Sequence, residues 1–360
     1  MKINYLFKSL FFALALVFTS CGSDGNDDSD GGDTNAITSI TISLKFDSDV
    51  YAGDLIFFDV KGNNSEVVTN SATITLNGED IGGNIYTTQA PGVLNFVATY
   101  GGMTSNTLQV TVLEPPVKFA QNVLIEDYTG TWCGYCPRVS YGIEQVNLAT
   151  DRAVTVAIHR GNTDPNGNNH DPYNFSAGAL ENMINLSGYP TAMLNRTTEW
   201  AYPEPSNVSQ VVGLTNSDAD LGLALSPTLD GNTISVDVDI KFGLLSTTNA
   251  KLVVYILEDD LIYDQVNYTS YYGGGSVISN FEHDHVLRDV LTDLLGDTIP
   301  ADQVAEGNVY STNFSVSVPS NVSNTSKMTV VAFVVNGNTN AAYNVRSANF
   351  GDTQTIEELD

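Results

Sequence analysis

The sequence predicts a multidomain α+β chain: an N-terminal β-sandwich, a central α/β domain, and a C-terminal β-sandwich with a helical insertion. Three observations carry this reading. Over residues 37–114, apolar and polar residues alternate in short runs punctuated by asparagine and glycine. Over residues 117–216, strand-like runs alternate with helix-like periodicity around Cys133-Gly134-Tyr135-Cys136. Over residues 219–350, the two-residue alternation returns. A chain of 360 residues is long enough for each segment to bury its own core.

The N-terminus reads as an export signal. Met1-Lys2 and Lys8 are basic, residues 9–18 are mostly apolar, and the small residues Thr19-Ser20 precede Cys21. The apolar run is shorter than the roughly 20 residues a membrane-spanning helix needs. Residues 1–20 are therefore expected to be a signal peptide. Phe18-Thr19-Ser20-Cys21 resembles a lipoprotein signal-peptidase site, which implies lipidation at Cys21 and an anchor in a bacterial membrane; ordinary secretion is the alternative. Residues 21–36 are acidic and glycine-rich and read as a tether, and residues 351–360 as an acidic tail. The formal charge of −28 repels phosphate backbones and argues against a nucleic-acid partner.

In the first sandwich, strands are expected at Ile40–Leu44, Leu55–Val60, Ala72–Leu76, Val93–Ala98 and Thr107–Val112, with Asn77-Gly78 and Gly101-Gly102 among the turns. Gly92-Val93-Leu94-Asn95-Phe96-Val97-Ala98 and the closing run Ser105 to Val112 resemble bacterial immunoglobulin-like domains. Such a domain serves as a spacer or as an adhesive module. Glu114-Pro115-Pro116 is a stiff boundary.

The central segment begins with a buried-strand pattern, Val123 to Tyr128, that feeds Cys133-Gly134-Tyr135-Cys136 and a helical stretch from Tyr135 to Ala149 with Val139, Ile143, Val146 and Leu148 as its apolar face. A cysteine at a helix N-terminus meets unpaired N–H groups and partial positive charge, which lower its pKa from about 8.5 into the range of roughly 3.5–7.5. Cys21 aside, Cys133 and Cys136 are the remaining thiols, and no second Cys-x-x-Cys completes a zinc site. Redox exchange is favoured over metal binding. A strand follows at Ala153–His159, a helix at Ser176–Leu186, then Gly188-Tyr189-Pro190-Thr191 and a strand at Ala192–Leu194, with a closing helix at Asn207–Leu214.

Trp132-Cys133-Gly134-Tyr135-Cys136-Pro137 followed by Gly188-Tyr189-Pro190-Thr191 resembles the active site of the thioredoxin superfamily. The resemblance implies a thioredoxin-like domain in which Cys133 attacks, Cys136 resolves, Pro190 is a cis proline beside the disulfide, and Trp132, Tyr135, Tyr189 and Thr191 shape the docking groove. It also implies a buried proton relay at Asp127, six residues before Cys133. Strand alternation alone leaves open whether Asp127 or Glu126 faces the helix.

Two further clusters are candidate metal ligands. Asp164, Asn166 and Asn168 space their oxygens as in a calcium loop, but Asn169 stands at the expected glycine and Phe175 at the expected glutamate. His283 and His285 with their flanking carboxylates resemble zinc or copper ligands without a third partner. The expected helical insertion is Asp284–Leu295, with Val286, Leu287, Val290, Leu291, Leu294 and Leu295 on one side and Gly296 as its stop. Flanking it, strands are expected at Leu221–Leu225, Thr233–Phe242, Lys251–Glu258, Val309–Val318 and Met328–Val335.

The lipoprotein signal, Thr129-Gly130-Thr131-Trp132-Cys133-Gly134-Tyr135-Cys136-Pro137 and His283 to Arg288 together resemble the Omp-type outer-membrane lipoproteins of Bacteroidetes, the twenty-eight-kilodalton class. The expectation is a cell-envelope, outer-membrane lipoprotein exchanging disulfides with the thiols or disulfides of exported proteins. It needs no cofactor beyond its redox-active disulfide, with calcium the ion its loop admits. The alternative is a surface binding protein or adhesin in which Cys133–Cys136 is a structural bridge.

Overall fold

A computed structural model describes residues 36–245 and 248–359. The signal peptide, Cys21 and the tether up to residue 35 lie outside the described residues, as does Asp360. The chain divides into two compact units at Pro115/Pro116. No helix among the described residues is long and apolar enough to cross a membrane.

The first unit is two antiparallel-rich sheets over one core. Ile40–Leu44, Leu55–Gly62 and Ile85–Thr87 make one sheet, and Val50–Tyr51, Leu108–Leu113, Gly92–Tyr100, Thr73–Leu76 and Glu79–Asp80 run in order across the other. Ile42, Phe58, Val60, Ile74, Phe96, Ala98 and Val112 are buried between them, which uses the two-residue alternation as read. Asn77 and Gly78 take positive φ (52° and 92°) between the paired Leu76 and Glu79, a turn whose twist matches the strands it joins.

The second unit is built on one nine-stranded mixed sheet. Its elements are β1 (Val123–Thr129), α1 (Pro137–Ala149), β2 (Ala153–His159), α2 (Gly178–Met183), β3 (Thr191–Leu194), β4 (Thr198–Glu199), α3 (Val208–Leu214), β5 (Leu221–Asp230), β6 (Thr233–Phe242), β7 (Ala250–Glu258), β8 (Leu261–Val266), β9 (Val277–His283), β10 (Val286–Val290), β11 (Val309–Ser317), β12 (Met328–Asn336) and β13 (Ala342–Asn349). The large sheet runs β4-β3-β1-β2-β10-β7-β12-β13, with Asp297–Thr298 paired beside β7. β1 and β2 are parallel, in register from Val123↔Ala153 to Thr129↔His159.

One face of this sheet is continuous. Leu124 and Tyr128 of β1, Val156 and Ile158 of β2, Tyr255 of β7 and Phe333 of β12 share one core with Leu180 of α2. The other face is divided. Over β1 and β3 it is covered by α1 and α3, with Val139, Ile143, Val146 and Val211 packed on Ile125, Leu194 and Trp200. Over β7 and β12 it is covered by the three-stranded sheet β5-β6-β11, whose Leu223, Val236, Val238 and Ile240 meet Leu252, Val254, Ile256 and Val330.

This architecture corrects the expected fold class. The unit is dominated by strands, with three α-helices among the described residues, two of them of 6 and 7 residues. The central thioredoxin-like α/β domain and the C-terminal sandwich with a helical insertion are not separate bodies, because both contribute strands to the same sheet. The join is the segment expected to be a helix. Val286–Val290 is instead a strand, bonded to β2 at Ala157↔Val286 and antiparallel to β7 from Glu258↔Val286 to Tyr255↔Val290. Its apolar residues fit a helical period, but two open strand edges supply the backbone bonds and burial that decide between helix and strand. Two smaller corrections follow from packing. Leu148 projects into solvent at 81 % exposure, since α1 turns its buried face through Val139, Ile143 and Val146. The helix expected at Ser176–Leu186 is reduced to Gly178–Met183.

Candidate functional site around the Cys133–Cys136 disulfide

Cys133 and Cys136 are joined by a disulfide at the start of α1, with Cys136 at the helix cap and Pro137 in its first turn. Cys136 N–H donates to Cys133 O at 3.1 Å. The two residues are 4 % and 1 % exposed.

β1 is buried along its whole length, and its two adjacent acids diverge because successive side chains leave opposite faces. Glu126 shares the face of Leu124 and Tyr128. There its carboxylate meets Arg196 (Nε to Oε1, 3.1 Å), both side chains fully buried, and Arg196 also donates to Tyr255 Oη at 2.6 Å. Asp127 shares the face of Val123 and Ile125, beneath α1. It is 2 % exposed and forms no ion pair, and its Oδ1 has no partner among the described residues. Burial pushes its carboxyl up to about 8; the Glu204 charge adds to this and Arg138, in the first turn of α1, opposes it. Asp127 is therefore protonated at neutral pH, poised to give or take one proton under the helix that carries the cysteines.

Of the other expected groove residues, Trp132 and Tyr189 meet each other. Tyr189–Pro190 is a cis peptide. Trp132 donates from Nε1 to Arg160 O at 2.7 Å and meets Tyr189 edge-on at 5.6 Å, while Tyr189 Oη donates to Glu181 at 2.6 Å. Thr191 Oγ1 donates to Gly188 O at 2.9 Å, at the start of β3 opposite Tyr128. Tyr135 is 55 % exposed.

The metal candidates do not converge. Asp164, Asn166 and Asn168 lie in an exposed turn in which the Asp164 carboxylate accepts the Asn166 backbone N–H at 3.0 Å. His283 is buried against His159 and Tyr173, whereas His285 pairs with Asp259 at 3.1 Å, so the two imidazoles serve different neighbours. Among the described residues, the His, Cys, Asp and Glu side chains that do converge are Asp260, Glu282 and Asp284, all exposed.

Two groups of residues at the site carry no local sequence signal. The β8–β9 hairpin lies against the cysteine loop. The buried Gln265 amide donates to Gly130 O and Cys133 O at 3.3 and 3.0 Å, Val266 N–H to Thr131 O at 2.8 Å, and Tyr268 N–H to Gly134 O at 2.6 Å. The Tyr268 ring also explains the glycine between the cysteines, because a Cβ on Gly134 would stand 2.3 Å from it. The second group is His159 and Asp171, paired at 2.9 Å, with Asp171 also accepting from Thr131 N–H at 2.9 Å. Burial raises the Asp171 carboxyl, but the bonds from His159, Thr131 and Tyr173 outweigh it and hold the pKa below the ordinary value. These contacts span more than 100 residues for the hairpin, so neighbouring residues could not announce them.

The unit is thus a mixed β-sheet protein that presents a buried disulfide at a helix N-terminus. Residues 177–354 match the family described as outer membrane protein Omp28, which begins after the cysteines and covers the strands from β3 through β13. No curated protein matches the chain by sequence. Among solved structures, HBP35 of Porphyromonas gingivalis is similar at 18 % identity, covering 66 % of this chain and 77 % of its own, with a TM-score of 0.51. That likeness is one of fold. A domain of the outer membrane lipoprotein Omp28 from the same organism shares 20 % identity over 38 % of this chain and 92 % of its own, with a TM-score of 0.26. The family match spans just under half of the chain, and the outer-membrane, cell-envelope location of that family agrees with the lipoprotein signal at the N-terminus.

Proposed function

We propose that this lipoprotein exchanges disulfides with exported proteins through Cys133 and Cys136, from a lipid anchor at Cys21. The observation that carries the reading is the pairing of a disulfide at the N-terminus of α1 with a buried, uncompensated carboxyl on the strand beneath. Attack of a partner thiolate on Cys133 expels the Cys136 thiolate, and the helix N-terminus and the Asp127 proton are the groups that stabilise it. Trp132, Tyr135, Tyr189, Pro190 and Thr191 surround the approach.

A structural bridge in a surface-binding protein is the second reading. It is favoured by the low exposure of both cysteines and by the hairpin donors that clamp Gly130, Thr131, Cys133 and Gly134. Equilibration of the full chain in glutathione and dithiothreitol buffers separates the two. Exchange predicts a potential within about −270 to −120 mV and a Cys133 thiolate forming well below about pH 8.5. A potential below about −300 mV, or an ordinary thiol, assigns the bridge to structure.

A further inference from the structure

Asp127 Oδ1, Thr155 Oγ1 and His283 Nε2 are buried polar atoms with no hydrogen-bond partner among the described residues. All three residues line one recess of about 100 Å³, space for about three waters at liquid density. The recess follows from the parallel register of β1 and β2. Asp127 stands beside Ala157, whose small side chain leaves room, and Thr155 lies two residues away on the same face. The mouth is exposed, at Glu144 and Asn147 of α1 and Glu282 of β9, while the floor at Asp127, Thr155 and His283 is buried. Burial, with the His159 charge beside it, pushes the His283 pKa down to about 3, so the ring stays neutral.

We propose that this recess is the water-filled proton path of the disulfide site, with Thr155 and His283 as positioning residues that hold the water joining Asp127 to solvent. The inference rests on the exchange reading above. In the reductive direction, a thiolate of a partner dithiol bonds to Cys133 Sγ, the Cys133–Cys136 bond breaks, and Cys136 Sγ departs with the electron pair and takes the Asp127 proton. The partner's second thiolate then attacks the partner sulfur of the mixed disulfide and releases Cys133 as a thiolate. Two electrons pass to the cysteine pair and the partner leaves as a disulfide. Asp127 is left ionised at 2 % exposure, and the recess is its route to a replacement proton. The charged or titratable groups around it are Arg138 and Glu144 from α1, Glu204 before α3, His159 from β2, Tyr272 and Glu282 from the hairpin, and Asp284 and His285 between β9 and β10.

The test is stopped-flow reduction of the full chain by dithiothreitol between about pH 5.5 and 9.5, in H₂O and D₂O. Asp127→Asn should slow reduction at pH 7 by roughly tenfold or more and remove the break near pH 8. Thr155→Val, His283→Phe and the space-filling Ala157→Val should each slow it by roughly three- to tenfold and change the solvent isotope effect, with far-UV circular dichroism unchanged. His283→Gln, which restores an acceptor, should recover most of the rate. Wild-type profiles in the Thr155, His283 and Ala157 variants, alongside a changed profile in Asp127→Asn, overturn the path and leave exchange standing. A wild-type profile in Asp127→Asn, or a disulfide that dithiothreitol does not open, removes the exchange reading and the path with it.

Discussion

Glu126 and Asp127 are neighbours on one strand and almost equally buried, yet the two sides of β1 treat them in opposite ways. On the continuous face of the sheet, Glu126 is held by Arg196, itself fixed by Tyr255 and the Leu294 carbonyl, so the pair is a charged strut inside an apolar core. On the face beneath α1, Asp127 forms no ion pair and its Oδ1 meets no donor among the described residues, and burial outweighs the Arg138 charge so that it keeps its proton. The lesson is that burial alone does not define a site. A buried ion pair with both partners present is structure; a buried acid left uncompensated near a disulfide can do proton chemistry.

The comparison can be broken most severely at Arg196. Arg196→Met strands the Glu126 charge, and a loss of about 3–5 kcal/mol in urea unfolding is expected. Asp127→Asn removes no ion pair and replaces an acid that must hold its proton to stay buried, so no loss of stability is expected at pH 6. Comparable losses in the two variants would erase the distinction between the faces.

The pH dependence sharpens it next. The folded Asp127 binds its proton up to about pH 8, whereas the unfolded chain releases it near the ordinary value of 3.8. Between those values the folded state holds the extra proton, so stability falls as pH rises, by up to about 1.4 kcal/mol per unit. Asp127→Asn should flatten that decline in urea titrations across the window. His283 gives the opposite slope. Its folded pKa of about 3 lies below the ordinary 6.5, so the unfolded state takes up a proton first and stability falls as pH drops through that range. His283→Phe should flatten the acid limb and leave the neutral-to-alkaline decline intact.

The smallest expected effect is at the hairpin. Gly134→Ala drives a Cβ against the Tyr268 ring and should cost about 1–3 kcal/mol, recovered in large part by Gly134→Ala combined with Tyr268→Ala. Non-recovery in the double variant would show that the glycine is needed for its backbone rather than for the ring above it.

Sequence reasoning reached the local elements because their signals are local. Val123–Thr129, Pro137–Ala149 and Ala153–His159 follow from β-branched runs and from Val139, Ile143 and Val146 at helical spacing. The residues flanking the disulfide were legible from a motif. Gln265, Tyr268, His159, Asp171 and Thr155 were not, because each is ordinary in its own neighbourhood and acquires a partner only across the fold.

By itself, then, the sequence determined the strand-by-strand alternation, the break at Pro115-Pro116 and the Cys-x-x-Cys at a helix start, all written within windows of a few residues. Tertiary structure alone decided that Val286–Val290 is a strand rather than a helix, that it unites the α-covered and β-covered halves in one sheet, and that Asp127 rather than Glu126 lies beneath α1. Those outcomes depend on which edges are open and which cation reaches which face. Such non-local energies exceed the intrinsic preference of any short segment.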